Sequence, residues 1–228
     1  MNNLTDNLAS IGDQIRLSFS AKDAAREKVL PLCREAIRYC SQAIRATHRQ
    51  EFDQSRELLG SARNLLNEVE QIIAECNELG FAGFIRDAQK EFAEGSITLA
   101  LVVGNPLPSP DELRVDAAAY LNGLGEAVGE LRRYLLDSMR RGDLSRGEEL
   151  LSAMDDIYSV LVTMDFPDAI TGGLRRTTDS LRAVLERTRG DLTNALRQSR
   201  LERRMRELEE ALGFDQASVK TSDDDTSP

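Results

Sequence analysis

The stretch Glu27–Arg49, EKVLPLCREAIRYCSQAIRATHR, decides the fold class. Val29, Leu32, Cys33, Ala36, Ile37, Cys40, Ala43, Ile44 and Thr47 recur in it at spacings of three and four, the period of one helix face. Arg34, Arg38, Arg45 and Arg49 fall on a flank of that face. Pro31 lacks the N–H that a helix interior uses, so the helix begins there or is kinked there. Working outward, Phe52 to Ile73 carries a second apolar stripe through Leu58, Leu59, Ala62, Leu65, Leu66, Val69 and Ile73, and a third amphipathic run spans about Phe81 to Val103. Gly104-Asn105-Pro106-Leu107-Pro108-Ser109-Pro110 is a breaker cluster and must be a loop. Ser109, Pro110 and Glu112 read as N-cap, first position and N3 of a capping box, opening a helix expected to run to about Arg141. A shorter helix is expected from Ser145 to about Thr163. After Asp165-Phe166-Pro167-Asp168 a long final helix is expected through Leu212, with at most a bend near Gly172-Gly173. No β-type alternation and no fixed-period repeat interrupts this pattern. The expectation is an all-α, single-domain bundle of about seven helices over 1–217. The segment 218–228, with Val219 its one apolar residue, reads as a disordered acidic tail.

Composition narrows the chemistry. The chain has 228 residues, enough for one domain with a sizeable core. No window approaches the apolar run that a membrane span requires, and the first residues lack a signal-peptide pattern, so a cytoplasmic protein without membrane contact is expected. Cys33, Cys40 and Cys76 are an odd, apolar-flanked set that suits buried thiols in a reducing compartment. His48 is the single histidine, so neither a His-rich zinc site nor a Ser-His-Asp triad has material beyond it. By residue type it is an acid–base candidate; by position, near a helix end between Arg45 and Arg49, it equally suits a helix-dipole partner. The net charge is −10, yet 25 of the 29 basic residues are arginine. Arginine suits bidentate phosphate contacts, and a genome that favours arginine codons gives the same ratio. The last long helix is basic in bursts from Arg175 to Arg206, with interleaved acids that can pair along it.

Two acidic stripes carry the candidate chemistry. Asp87, Glu91, Glu94 and Thr98 share one face of the third helix. Asp116, Ala119, Gly123, Glu126, Glu130 and Asp137 share a face of the helix after the proline loop. Like charges at these spacings cost an isolated helix about 0.2–0.5 kcal/mol per pair, so such rows are solvated, partnered by bases or bridged by cations. Ala119 and Gly123 let another helix approach closely. If that neighbour carries Glu91 and Glu94, four carboxylates converge across a helix pair, an all-oxygen donor set suited to Mg²⁺ or Mn²⁺ and to phosphodiester cleavage. Solvated glutamates on the surface of an acidic protein fit the same pattern.

The ordered segments resemble the translin/TRAX family. Arg26-Glu27-Lys28-Val29-Leu30, Arg34-Glu35-Ala36-Ile37-Arg38 and Ala43-Ile44-Arg45-Ala46-Thr47-His48-Arg49 are similar to its opening helix. Gln89-Lys90-Glu91-Phe92-Ala93-Glu94 resembles the stretch that carries two catalytic carboxylates in TRAX, the nuclease subunit. Tyr120-Leu121-Asn122-Gly123-Leu124-Gly125-Glu126 and Gly129-Glu130-Leu131-Arg132-Arg133 are similar to the helix that completes the site. Phe166-Pro167-Asp168-Ala169, Leu174 to Asp179 and Glu186 to Asp191 are similar to the C-terminal helix of the single-copy archaeal members. The resemblance covers roughly Arg26 to Leu212. It implies a helical bundle assembled as a closed, octameric homo-oligomer around short single-stranded RNA or DNA. It further implies Mg²⁺-dependent endoribonuclease activity with Glu91, Glu94, Glu126 and Glu130 as catalytic and metal-binding residues. Glu126 stands where TRAX has Asp. The second implied possibility is a translin-like nucleic-acid-binding protein without catalysis. Arg45, Arg49 and Arg86 are the candidate nucleic-acid contacts.

Overall fold

The computed structural model of the chain describes residues 7–75 and 83–212; Cys76, Phe81 and the expected tail lie outside the described residues. The elements are α1 (Leu8–His48), α2 (Phe52–Glu75), α3 (Gly83–Val103), α4 (Pro110–Leu113), α5 (Ala117–Arg140), α6 (Gly147–Val162), α7 (Asp168–Thr171) and α8 (Leu174–Ala211). Six are long and two are single turns, with no strand among the described residues. The all-α expectation stands.

In α1 the quoted stretch behaves as its spacing predicts. Val29, Cys33, Ala36, Cys40 and Ala43 are buried, whereas Arg34, Arg38, Arg45 and Arg49 are exposed. The helix runs through Pro31 and extends back to Leu8. Both Pro31 and Glu27, whose carbonyl loses its usual donor, are exposed, so water can satisfy that oxygen. The expected helix from Pro110 to Arg141 is two helices. Arg114 takes a left-handed conformation (φ 48°, ψ 54°) that ends α4 after one turn. Arg63 of α2 donates to the freed carbonyl of Leu113 at 2.7 Å, and Asp116 caps α5 by accepting from the N–H of Ala118 at 3.0 Å. The break therefore depends on a residue about fifty positions away, which no local pattern reveals. The capping box at Ser109 and Glu112 is present as read.

α3 is the central element, packed on α1 and α2 through one side and on α5 through the other. Small residues permit both contacts. A Cβ at Gly95 would stand 3.1 Å from the Leu59 side chain and 3.8 Å from the Cys40 carbonyl of α1. At Gly123 of α5 a Cβ would meet the Lys90 carbonyl at 2.7 Å, the Ala93 Cβ at 2.9 Å and the Glu94 nitrogen at 3.0 Å. Helix backbones thus touch at Gly123. α8 closes the bundle against α5 and α6 with Leu174, Leu181, Leu185, Thr188 and Leu192, and its basic bursts are partly tied across helices by Arg132–Asp191 (2.8 Å) and Arg189–Asp155 (2.6 Å).

Gly123→Ala separates two opposed effects. Alanine normally stabilises a helix interior by up to about 1 kcal/mol, but overpacking a tight contact costs about 1–3 kcal/mol. Thermal denaturation is expected to show Gly123→Ala less stable than the parent. Gly60→Ala, where a Cβ meets nothing within 4 Å, is expected to be neutral or more stable.

Candidate metal and nucleic-acid site

The contact at Gly123 places the acidic stripes face to face. Glu91 and Glu94 leave α3 one turn apart, and Glu126 leaves α5 one turn beyond Gly123. Carboxylate oxygens of Glu91, Glu94 and Glu126 lie within 4.8 Å of one another. Glu94 is the most buried of them, 8% exposed. Burial, then the charges of Glu91, Glu126 and Glu130, push its carboxyl up to about 8. Burial also raises Glu91, opposed by the neighbouring Lys90 ammonium and reinforced by Glu126.

Lys90 is the cation within this cluster. Its Nζ donates to Glu126 Oε1 at 2.8 Å and stands 3.5 Å from Glu91 Oε1. Glu130 is turned elsewhere: buried His48, at the end of α1, donates from Nε2 to Glu130 Oε2, and Arg133 lies 3.9 Å from the same oxygen. The bond from His48 holds the Glu130 carboxyl below the usual carboxylate range. His48 Nδ1 and Thr98 Oγ1 are buried without a hydrogen-bond partner among the described residues. Cys40 of α1 lies within reach of the fields of Glu91 and Glu94; burial, reinforced by them, pushes its thiol up to about 12, so it stays protonated.

Of the four glutamates read from the sequence, three converge and Glu130 is held beside them by His48. Asp116 serves as an N-cap and Asp137 lies 3.3 Å from Arg140, so neither joins the cluster. Of the three arginines, Arg45 is exposed on α1 and Arg49 pairs with Glu51 at 2.6 Å. Arg86 is half-buried and, with Lys90 and Glu126, lines a cleft of about 400 Å³ adjoining the carboxylates. Sequence reasoning missed the partners. Lys90 could be read as an intrahelical mate of Glu94 at i+4, and only packing gives it Glu126. An oxygen-only trio of partly desolvated carboxylates fits a hard divalent cation such as Mg²⁺ or Mn²⁺ and does not fit zinc.

An all-helical bundle with a carboxylate trio between two of its central helices is the class that fold and site define. No family model matches the chain. It is 31% identical over 193 residues to uncharacterized protein MJ0175 of Methanocaldococcus jannaschii, covering 82% of this chain and 84% of that protein. Among solved structures it is similar to AfC3PO, an archaeal C3PO. The complex of that protein with duplex RNA superposes with a TM-score of 0.73 at 31% identity, over 80% of this chain and 95% of that one. The crystal structure of AfC3PO gives 0.72 at 30% identity, over the same shares. Apo-NeC3PO, at 15% identity, shares the fold, with a TM-score of 0.70 over 85% of this chain and 100% of that one. The chain belongs to the translin/TRAX family.

Glu94 sets a pH dependence of the metal-free protein. Its folded pKa, about 8, lies above the ordinary 4.5. The folded state therefore retains a proton that the unfolded chain has lost. That contribution is fully present below about pH 4.5 and is lost as pH rises toward 8. With EDTA present, the Tm of Glu94→Gln is expected to gain on that of the parent protein across this range. Parallel Tm curves against pH would mean that Glu94 is not held protonated.

Proposed function

We propose that this protein is a metal-dependent endoribonuclease acting on short single-stranded or partly paired RNA. The observation that carries the reading is the convergence of Glu91, Glu94 and Glu126 from two helices to within 4.8 Å. The relation to a family member crystallised with duplex RNA supplies the substrate class. Mg²⁺ or Mn²⁺, held by these three residues, would supply Lewis-acid chemistry toward water and the phosphodiester.

The chain's own residues do the rest. Glu94, the most buried, would have to give up its proton to hold a cation, which would link cation binding to proton release. Glu130, oriented by His48, adds negative charge beside the trio without entering it; as a fourth ligand it would have to leave His48. The Lys90 ammonium offsets part of the charge of Glu126 and Glu91, a role a bound cation would take over. No side-chain nucleophile is required, and the protonated Cys40 thiol is unsuited to be one. Assembly into a homo-oligomer, octameric by family resemblance, fits the exposed apolar residues Leu8, Ile11, Ile15 and Phe19 of α1 and Leu201, Met205 and Leu208 of α8. A cytoplasmic setting suits an RNA substrate and the free, buried Cys33 and Cys40; among the described residues no helix is long and apolar enough to cross a membrane.

A second reading, binding of single-stranded RNA or DNA without catalysis, is favoured by one observation: the Lys90 ammonium already bridges Glu126 and Glu91. Cleavage of labelled single-stranded RNA in Mg²⁺ or EDTA decides between them. The nuclease reading expects Mg²⁺-dependent product, reduced at least about a hundredfold in Glu91→Ala/Glu94→Ala while RNA binding persists. RNA bound but left whole by the parent protein would establish the binding reading instead. Lys90→Met tests the cation competition independently of activity. Calorimetry is expected to show Mn²⁺ binding tightened by roughly an order of magnitude once the internal ammonium is gone; unchanged affinity would remove Lys90 from that role.

A further inference from the structure

We propose that the cleft beside the carboxylates is a phosphate subsite for the RNA strand, with Arg86 and Arg176 as its binding groups. The cleft, about 400 Å³, lies between α3, α5 and the α7–α8 turn. That volume lies within the usual range for a site holding a small ligand. It shares Lys90 and Glu126 with the carboxylate cluster, so a group seated there adjoins the cation position.

Most partly buried guanidinium groups in this chain are spoken for. Arg63 bonds Glu70 and the Leu113 carbonyl, Arg132 bonds Asp191, and Arg146 bonds Glu149. Arg86 is the half-buried exception. Neither it nor Arg176 has a carboxylate within 4.0 Å among the described residues, although Asp87 and Asp168 line the same cleft. A half-desolvated guanidinium without an acid partner is costly unless a ligand supplies the anion.

The walls are fixed. Asn122 donates to the carbonyls of Ala118 (2.8 Å) and Thr171 (2.7 Å) and accepts from Thr177 Oγ1 (3.3 Å), tying α5 to the α7–α8 turn. That turn passes through Gly172 and Gly173 at φ 64° and 88°, the left-handed region that favours glycine. Arg86 lies across its bare backbone: a Cβ on Gly172 would stand 3.4 Å from the guanidinium and 3.5 Å from Cδ. Gly173 offers no side-chain cap to α8, so the positive end of that helix also borders the cleft. Asp87 and Asp168 are exposed and oppose a free anion; a phosphate must therefore be delivered by a strand held elsewhere on the protein.

The inference rests on the RNA-binding half of the proposed function and not on cleavage, so it is tested in EDTA. Fluorescence anisotropy of a labelled short RNA, carrying either a 5′-phosphate or a 5′-hydroxyl, is followed over a NaCl series. Arg86→Met and Arg176→Met are each expected to weaken binding severalfold and to lower the log–log salt slope by roughly 0.7 per lost contact. Asp168→Asn is expected to tighten it. A loss confined to the 5′-phosphorylated strand assigns the cleft to a terminal phosphate, and an equal loss on both strands assigns it to an internal one. Should Arg86→Met fail to fold, exposed Arg176 carries the test. Affinity and salt slope unchanged in both arginine variants overturn the subsite while leaving RNA binding in place. Absence of RNA binding by the parent protein overturns the functional reading with it.

Discussion

Everything at the site depends on how closely α5 can lie against α3. The bare backbone of Gly123 against the Lys90 carbonyl and Glu94 nitrogen sets that distance. With helix axes so close, residues one turn away on each helix cannot avoid one another. Glu126 must then share space with Glu91 and Glu94, and the like-charge cost cannot be relieved by moving apart. The bundle around it is arranged to keep this contact fixed. Gly95 makes room on the other side of α3 for the Leu59 side chain of α2 and the backbone of α1, and Asn122 pins α5 to the α7–α8 turn.

Four carboxylates in one region require compensation, and several kinds of partner supply it. Glu126 receives an ammonium, Glu130 a histidine and a distant guanidinium, Glu94 a proton. Glu91 shares Lys90 with Glu126. These are reversible partners. In the proposed function a proton and an ammonium would both be exchanged for a divalent cation without unfolding the helices that carry these carboxylates. A site neutralised by rigid arginine pairs, as at Arg132–Asp191, would have no such freedom.

Helix positions were legible in the sequence because they follow from local periodicity and local breakers. α2 and α6 lie where their apolar stripes and flanking breakers place them, whereas α1 runs back through Pro31 to Leu8 and the single final helix expected after Asp168 is broken at the left-handed Gly172 and Gly173 into α7 and α8. The break at Arg114 was not legible, because it depends on Arg63 reaching across from α2. The same division holds within the site. Spacing placed Glu91 with Glu94 and Glu126 with Glu130, and the small residues Ala119 and Gly123 implied that the two faces meet. Spacing could not show that Glu130 would be drawn to His48, since that bond joins positions eighty-two apart along the chain. Nor could it separate Arg86 from Arg45 and Arg49. All three are arginines on helix flanks, and only packing puts one of them in a cleft beside the carboxylates.

The net charge of −10 argues against a polyanionic ligand only if charge is averaged over the molecule. At the site it is not averaged. Burial holds a proton on Glu94, Lys90 offsets charge on Glu126 and Glu91, and His48 hydrogen-bonds Glu130, whereas Arg86 and Arg176 keep their charge unspent on any acid within ion-pair distance among the described residues. Under the proposed function a strand would be repelled by the net charge at large and attracted where guanidinium groups without an acid within ion-pair distance face it, as Arg86, Arg176 and exposed arginines such as Arg45 and Arg175 do. What sets Arg86 and Arg176 apart from the other arginines is their place in a cleft shared with Lys90 and Glu126, so a phosphate seated there in the proposed function would lie beside the carboxylates.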